Sequence, residues 1–171
     1  MKTQDSLSVF LVDDDKMFLS SLQNTLTSEF NKEIDISMYS NGEECLKHVN
    51  GKPDIVILDY YLNDDQHPDA MDGLKVLQEL KKKGRTDMMV IMLSGQDKLQ
   101  VALDSIKNGA YEYVAKSEST FVRLQNIMKN AIKTLQSNRE NKLYEKWNII
   151  MGITIIAILL VDVIYYYLGH S

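Results

Sequence analysis

Four short apolar runs in this chain of 171 residues each end in residues able to do chemistry. Residues 8–12 lead into Asp13-Asp14-Asp15, 55–58 into Asp59, 88–93 into Ser94-Gly95, and 112–115 into Lys116. Carboxylates with no His or Cys beside them are hard oxygen donors, which suit Mg²⁺, an ion that keeps several waters and takes one or two protein carboxylates. A hydroxyl and an ammonium brought to the same place could grip phosphoryl oxygens, and a further carboxylate could act as nucleophile. By itself the acidic triplet equally suits the cap and dipole of a following helix. The other three run ends tip the reading toward a site.

Such residues meet only if the runs lie side by side. The apolar runs, with a further one at 34–39, have strand length and alternate with longer amphipathic stretches, the pattern of βα units around a parallel sheet. Those at 55–58 and 88–93 are apolar throughout, as strands covered on both faces tend to be. Five helices are predicted: about 16–30, with Leu22, Leu26 and Phe30 four apart; one opening at Asn41-Gly42; 73–83; 98–108, closing at Gly109; and one from near Ser119. Right-handed crossovers then give a doubly wound five-stranded α/β sheet, whose ligand site lies beyond the carboxyl ends of the strands.

Composition narrows the function classes. All 19 Lys and Arg precede Trp147 and one acid, Asp162, follows it, so the first 146 residues carry −4, which argues against nucleic acid as a partner. The single Cys45 cannot form an internal disulfide and reads as a small helical residue. Residues 1–8 lack the apolar segment of a secretory signal peptide, so a cytoplasmic N-terminus is expected.

The run ends carry a family pattern. Val12-Asp13-Asp14-Asp15, Val56-Ile57-Leu58-Asp59, Asp72-Gly73, Met92-Leu93-Ser94-Gly95 and Tyr113-Val114-Ala115-Lys116 together resemble the receiver domain of two-component response regulators, over about residues 8–135. The resemblance implies a (βα)₅ flavodoxin-like fold in which Asp59 accepts a phosphoryl group from a histidine kinase or phosphotransfer protein. It implies Mg²⁺ held by Asp14 and Asp59 directly, by Asp13 through water, and by the backbone carbonyl of Tyr61. Lys116 and Ser94 are expected to bind the phosphoryl group, and Tyr113 to act as the switch aromatic, although alone it reads as an ordinary strand residue.

Two departures from the pattern stand out. Thirteen residues separate Asp59 from Gly73, a longer loop than such receivers usually carry, and Asp64, Asp65 and Asp69 fall within it. The insertion either tunes phosphorylation or is a solvated loop without consequence. Ser117 follows Lys116 where the family commonly has a proline in a cis bond; before Ser a cis bond costs about 3 kcal/mol, so the bond is either trans or cis under strain.

Residues 149–168 are nearly all apolar and number twenty, the length that crosses a bilayer as a helix. Seven Ile, three Leu and two Val outweigh the lone Asp162 on an insertion scale. Trp147 and Tyr165-Tyr166-Tyr167 flank the span as interfacial anchors, and Arg139, Lys142 and Lys146 mark its cytoplasmic side. The expected organisation is a receiver at 1–136, a helical linker at 137–147 and a transmembrane helix at 148–168, tail-anchored with the receiver in the cytoplasm. Asp162 either meets a partner helix or snorkels to the near interface.

The leading function is therefore a membrane-tethered phosphorylation switch, not a turnover enzyme. Its output would pass through a partner protein, a homodimer or phosphate transfer. Two other classes remain: a docking scaffold that has lost phosphotransfer, and a Mg²⁺-dependent aspartyl phosphatase, for which Asp13-x-Asp15 fits but Lys16-Met17 does not.

Overall fold

The computed structural model describes residues 6–51, 53–62, 70–83, 86–95 and 98–169, with side chains for all of these except 51 and 162–169. The acids expected to line the long loop, Asp64, Asp65 and Asp69, and the side chain of Asp162 lie outside the described residues. The chain divides into two compact units, Met1–Ile132 and Lys133–Ser171.

In the first unit the elements alternate: β1 (Leu7–Val12), α1 (Lys16–Phe30), β2 (Ile34–Tyr39), α2 (Gly42–His48), β3 (Ile55–Asp59), α3 (Gly73–Lys83), β4 (Met89–Ser94), α4 (Leu99–Lys107), β5 (Glu112–Ala115) and the start of α5 (Thr120–Gly169). All strand pairs are parallel, in the order β2-β1-β3-β4-β5. The two apolar runs thus become the centre of the sheet, and every residue of β3 is buried.

The pleat sorts the side chains into two cores. Phe10, Val12, Val56, Leu58, Val90 and Met92 cluster with Val76, Leu77 and Leu80 of α3 and Cys45 of α2. The alternate residues Val9, Leu11, Ile55, Ile57, Ile91 and Leu93 are buried on the opposite face, as are Leu19, Leu22 and Leu26 of α1 and Leu124, Met128 and Ala131 of α5. Burial pushes the Cys45 thiol up to about 12, so it stays protonated at neutral pH.

Local chemistry sets the element ends. Asp15 caps α1 by accepting from the backbone N–H groups of Met17 and Phe18, and Asn41 caps α2 through Glu44 N–H. Gly109 ends the turn after α4 at φ +90°, a conformation that favours glycine. Gly73 permits a close return: an added Cβ would lie 2.7 Å from Tyr60 Cα and overlap the carbonyl of Asp59, while its N–H donates to Tyr60 O at 2.8 Å. The N-terminus of α3 is thereby pressed against the end of β3.

In the second unit, α5 carries a stretch long and apolar enough to cross a membrane, by length and composition. The large apolar side chains from Ile149 to Val161 are exposed, including Ile149, Ile153, Ile156 and Leu160.

Candidate functional site

The parity of the pleat puts the carboxylates and the lysine on one side of the sheet. Asp13 follows Val9 and Leu11, Asp59 follows Ile55 and Ile57, and Lys116 follows the buried Val114, so all three continue the face covered by α1 and α5. The Lys116 backbone N–H donates to Ser94 O at 2.7 Å, tying the end of β5 to the end of β4. Ser94 falls on the opposite pleat face, two residues beyond Met92, whose β5 partner is Tyr113.

Asp13, Asp14 and Asp59 each offer a carboxylate oxygen within 4.8 Å of the others. Asp13 and Asp59 are buried and Asp14 is exposed. The Lys116 ammonium bridges the buried pair, at 2.7 Å from Asp13 Oδ2 and 2.9 Å from Asp59 Oδ1. Asp13 Oδ1 accepts from Asp15 N–H at 3.0 Å, and Asp59 Oδ2 from Tyr61 N–H at 3.1 Å. Among the described residues, Asp59 Oδ1 has the lysine's charge nearby but accepts no well-directed hydrogen bond.

Electrostatics follow from this crowding. Burial, more than any neighbour, pushes the Asp59 carboxyl up to about 6; Lys116 pulls it down, and the negative charge of Asp13 pushes it further up. Burial also raises the Asp13 carboxyl above its ordinary value, against the lowering by Lys116. Burial alone would lower Lys116, but its hydrogen bond to Asp13 and the negative charges of Asp59 and Asp13 outweigh this and leave it raised. One ammonium faces two buried acids and a third exposed one, so the site has room for further positive charge. A hard divalent cation fits it: the donors are all oxygen, and a buried carboxylate oxygen lacks a directed partner.

The remaining predicted residues fall as follows. Ser94 is fully buried at the end of β4, and Tyr113 is half-buried against the α2–α3 core. Tyr61 is placed by its N–H bond to Asp59. The Lys116–Ser117 bond is trans, as is every peptide bond among the described residues. Ser117 N–H donates to Thr120 Oγ1 at 2.6 Å, a bond that a proline lacks, while Thr120 N–H donates to Ser117 O at 3.1 Å. A trans bond before Ser117 therefore still delivers Lys116 to both acids.

Three contacts were missed in the sequence. Lys116 pairs with Asp13 as well as with Asp59. Phe18 of α1 lies under the Lys116 ammonium, which stands 4.7 Å from the ring centroid. Glu43 of α2 accepts the Met71 N–H at 2.8 Å, anchoring the last residues of the long loop. Asn41 followed by two acids signalled a helix start but not this second use of Glu43.

Residues 9–129 match the response regulator receiver domain model, and the chain belongs to that family. A Rickettsia felis protein described as a response regulator, NtrX-like, is 30% identical over 156 residues, covering 87% of this chain and 31% of its own length. The chain spans less than a third of the length of the Rickettsia relatives it matches. The receiver domain of NtrX from Brucella abortus superposes with a TM-score of 0.63 at 26% identity, over 74% of this chain and 98% of that one. A CheY-like receiver domain protein from Methanospirillum hungatei does so with 0.64 at 22% identity, over 77% and 98%, and shares the fold.

Proposed function

We propose that Asp59 is the phosphoryl acceptor of this receiver, taking its group from a phosphohistidine of a sensor kinase or phosphotransfer protein, or from a small acyl phosphate. The observation that carries this reading is the Asp59 carboxylate, buried at the end of the central strand with Lys116 at 2.9 Å and two further carboxylates beside it. A carboxylate oxygen of Asp59 forms the new bond to phosphorus as the P–N or P–O bond to the donor breaks, and the donor atom leaves with the electron pair. Asp14 and Asp59, with the Tyr61 carbonyl and Asp13 through water, would hold Mg²⁺, which would supply positive charge to offset the phosphoryl oxygens.

The chain's own groups do the rest. Lys116 holds Asp59 in place and then pairs with a phosphoryl oxygen, while Asp13, hydrogen-bonded to the same ammonium, keeps it in the site. The Ser94 hydroxyl binds another phosphoryl oxygen, drawing the end of β4 inward. Tyr113 pairs in register with Met92 and sits on the pleat face of Ser94, so a shift of β4 changes the space available to its ring. Phosphorylation then shifts a population between two surface states rather than driving turnover.

The apolar stretch of α5 supports anchoring of the receiver at a bilayer, with 148–168 as the span and 137–147 as the linker. Its exposed Ile and Leu side chains are what a lipid-facing helix presents. The test of the central reading is label uptake by the full chain in detergent micelles from an acyl phosphate. Uptake should require Mg²⁺ and vanish in Asp59→Asn; Mg²⁺-independent uptake, or undiminished label in the variant, would sink it.

A further inference from the structure

Lys116 is held from three sides, of which the two carboxylates are only two. Besides its contacts with Asp13 and Asp59, its Nζ stands 4.7 Å from the centroid of the Phe18 ring. Phe18 in turn stacks on Phe121 of α5, with centroids 5.5 Å apart and planes 23° from parallel. The ring is thus clamped between the two helices that cover this face of the sheet. It is also tied to the acidic loop: Phe18 N–H donates to Asp15 Oδ1 at 3.0 Å, and Asp15 N–H donates to Asp13 Oδ1 at 3.0 Å.

A lysine ends a flexible four-carbon stem, and its ammonium is a point charge without the geometric fork of arginine. Two carboxylates alone can hold such a charge in several places. The face of an aromatic ring attracts a cation and narrows those places, an effect that grows when the pair is shielded from water. About three-quarters of the Lys116 side chain is shielded, since its relative exposure is 24%. The clamp matters most once Asp59 has become an acyl phosphate, because one of the two carboxylate anchors has then been replaced by a larger group.

We propose that Phe18, backed by Phe121, is a positioning residue that aims the Lys116 ammonium at the phosphoryl group. This rests on the assignment of Asp59 as acceptor. The ring acts through Lys116 and touches neither the donor nor the cation site.

The test uses the full chain in detergent micelles with three variants. Phe18→Leu keeps apolar bulk and removes the π face, whereas Phe18→Tyr and Phe18→Trp keep it. With Mg²⁺ and acetyl phosphate saturating, Phe18→Leu should slow labelling of Asp59 by about threefold to tenfold, and Phe18→Tyr should restore most of the rate. The Mg²⁺ Kd, from titration calorimetry, should be unchanged in all three. In lysine-labelled protein without donor, the Lys116 Hε resonances should lie upfield in the wild type and in Phe18→Tyr, from the ring current, and return to ordinary positions in Phe18→Leu. A labelled wild type with Phe18→Leu at the wild-type rate, or all three variants equally slow, would overturn the role of Phe18 alone. A wild type that takes no label while keeping the upfield resonances would overturn the acceptor assignment, and the positioning role with it.

Discussion

Asp59 sets a pH dependence that can be read without any phosphoryl donor. Its carboxyl lies at about 6 against an ordinary 3.8, chiefly through burial. Between those values the folded chain holds a proton that the unfolded chain has released. The contribution of Asp59 to stability is therefore full below about pH 4 and is lost as pH rises through about 6, at most roughly 3 kcal/mol for a displacement of this size. Asp13, raised in the same direction, adds to the slope. Melting of the cation-free chain should fall between pH 4 and pH 6.5, and Asp59→Asn should flatten that fall; an equally steep fall in the variant would mean that other groups cause it. Mg²⁺ should raise the melting temperature more at pH 7.5 than at pH 5, because it binds the ionised carboxylates. At this scale the sequence was informative where a reactive residue follows an apolar run: Asp13, Asp59, Ser94 and Lys116 each mark a strand end. The Lys116–Asp13 pair and the ring of Phe18 were not legible, because they depend on how the strand ends are brought together and how α1 meets α5 through Phe18 and Phe121, and nothing local to Phe18 separates it from a core aromatic.

The elements hold the site through a few backbone contacts. Gly73 lies where any side chain would meet the backbone of Asp59 and Tyr60. Gly73→Ala should therefore displace the end of β3, destabilising the chain by about 1–3 kcal/mol and slowing Asp59 labelling; thermal melting with a labelling time course checks both, and an unchanged melting point would show that the contact is soft. Ser117→Pro is a second element-scale test. The substitution removes the N–H that donates to Thr120 Oγ1 at 2.6 Å, and the expected loss is about 1 kcal/mol. A variant as stable as the wild type would mean that the loop regains the bond energy in another conformation. The helix and strand order was legible because periodicity and caps agree along the chain: α1 and α3 begin and end where the pattern places them, and Asn41 caps α2. The state of the Lys116–Ser117 bond was not, since it turns on a hydrogen bond to Thr120 that forms only once α5 has begun.

At the scale of the whole molecule, a receiver is continued by a helix with an apolar surface. Residues 149–161 expose a series of large aliphatic side chains, a surface without a counterpart among the described residues of the first unit. Removal of residues 149–171 should release the chain from membranes into the soluble fraction while leaving Asp59 labelling unchanged; a truncated chain that still sediments with membranes would place the attachment elsewhere. The apolar length was plain in the sequence, but the partner that would face Asp162 was not, because a single helix does not disclose what packs against it. The most direct measurement locates the phosphoryl group itself. After incubation with acetyl phosphate and Mg²⁺, borohydride reduction converts an aspartyl phosphate to homoserine, and mass spectrometry then identifies the position. Homoserine is expected at residue 59 only when Mg²⁺ is present; homoserine at another aspartate, or none in a chain that binds the cation, would contradict the assignment of Asp59 as acceptor.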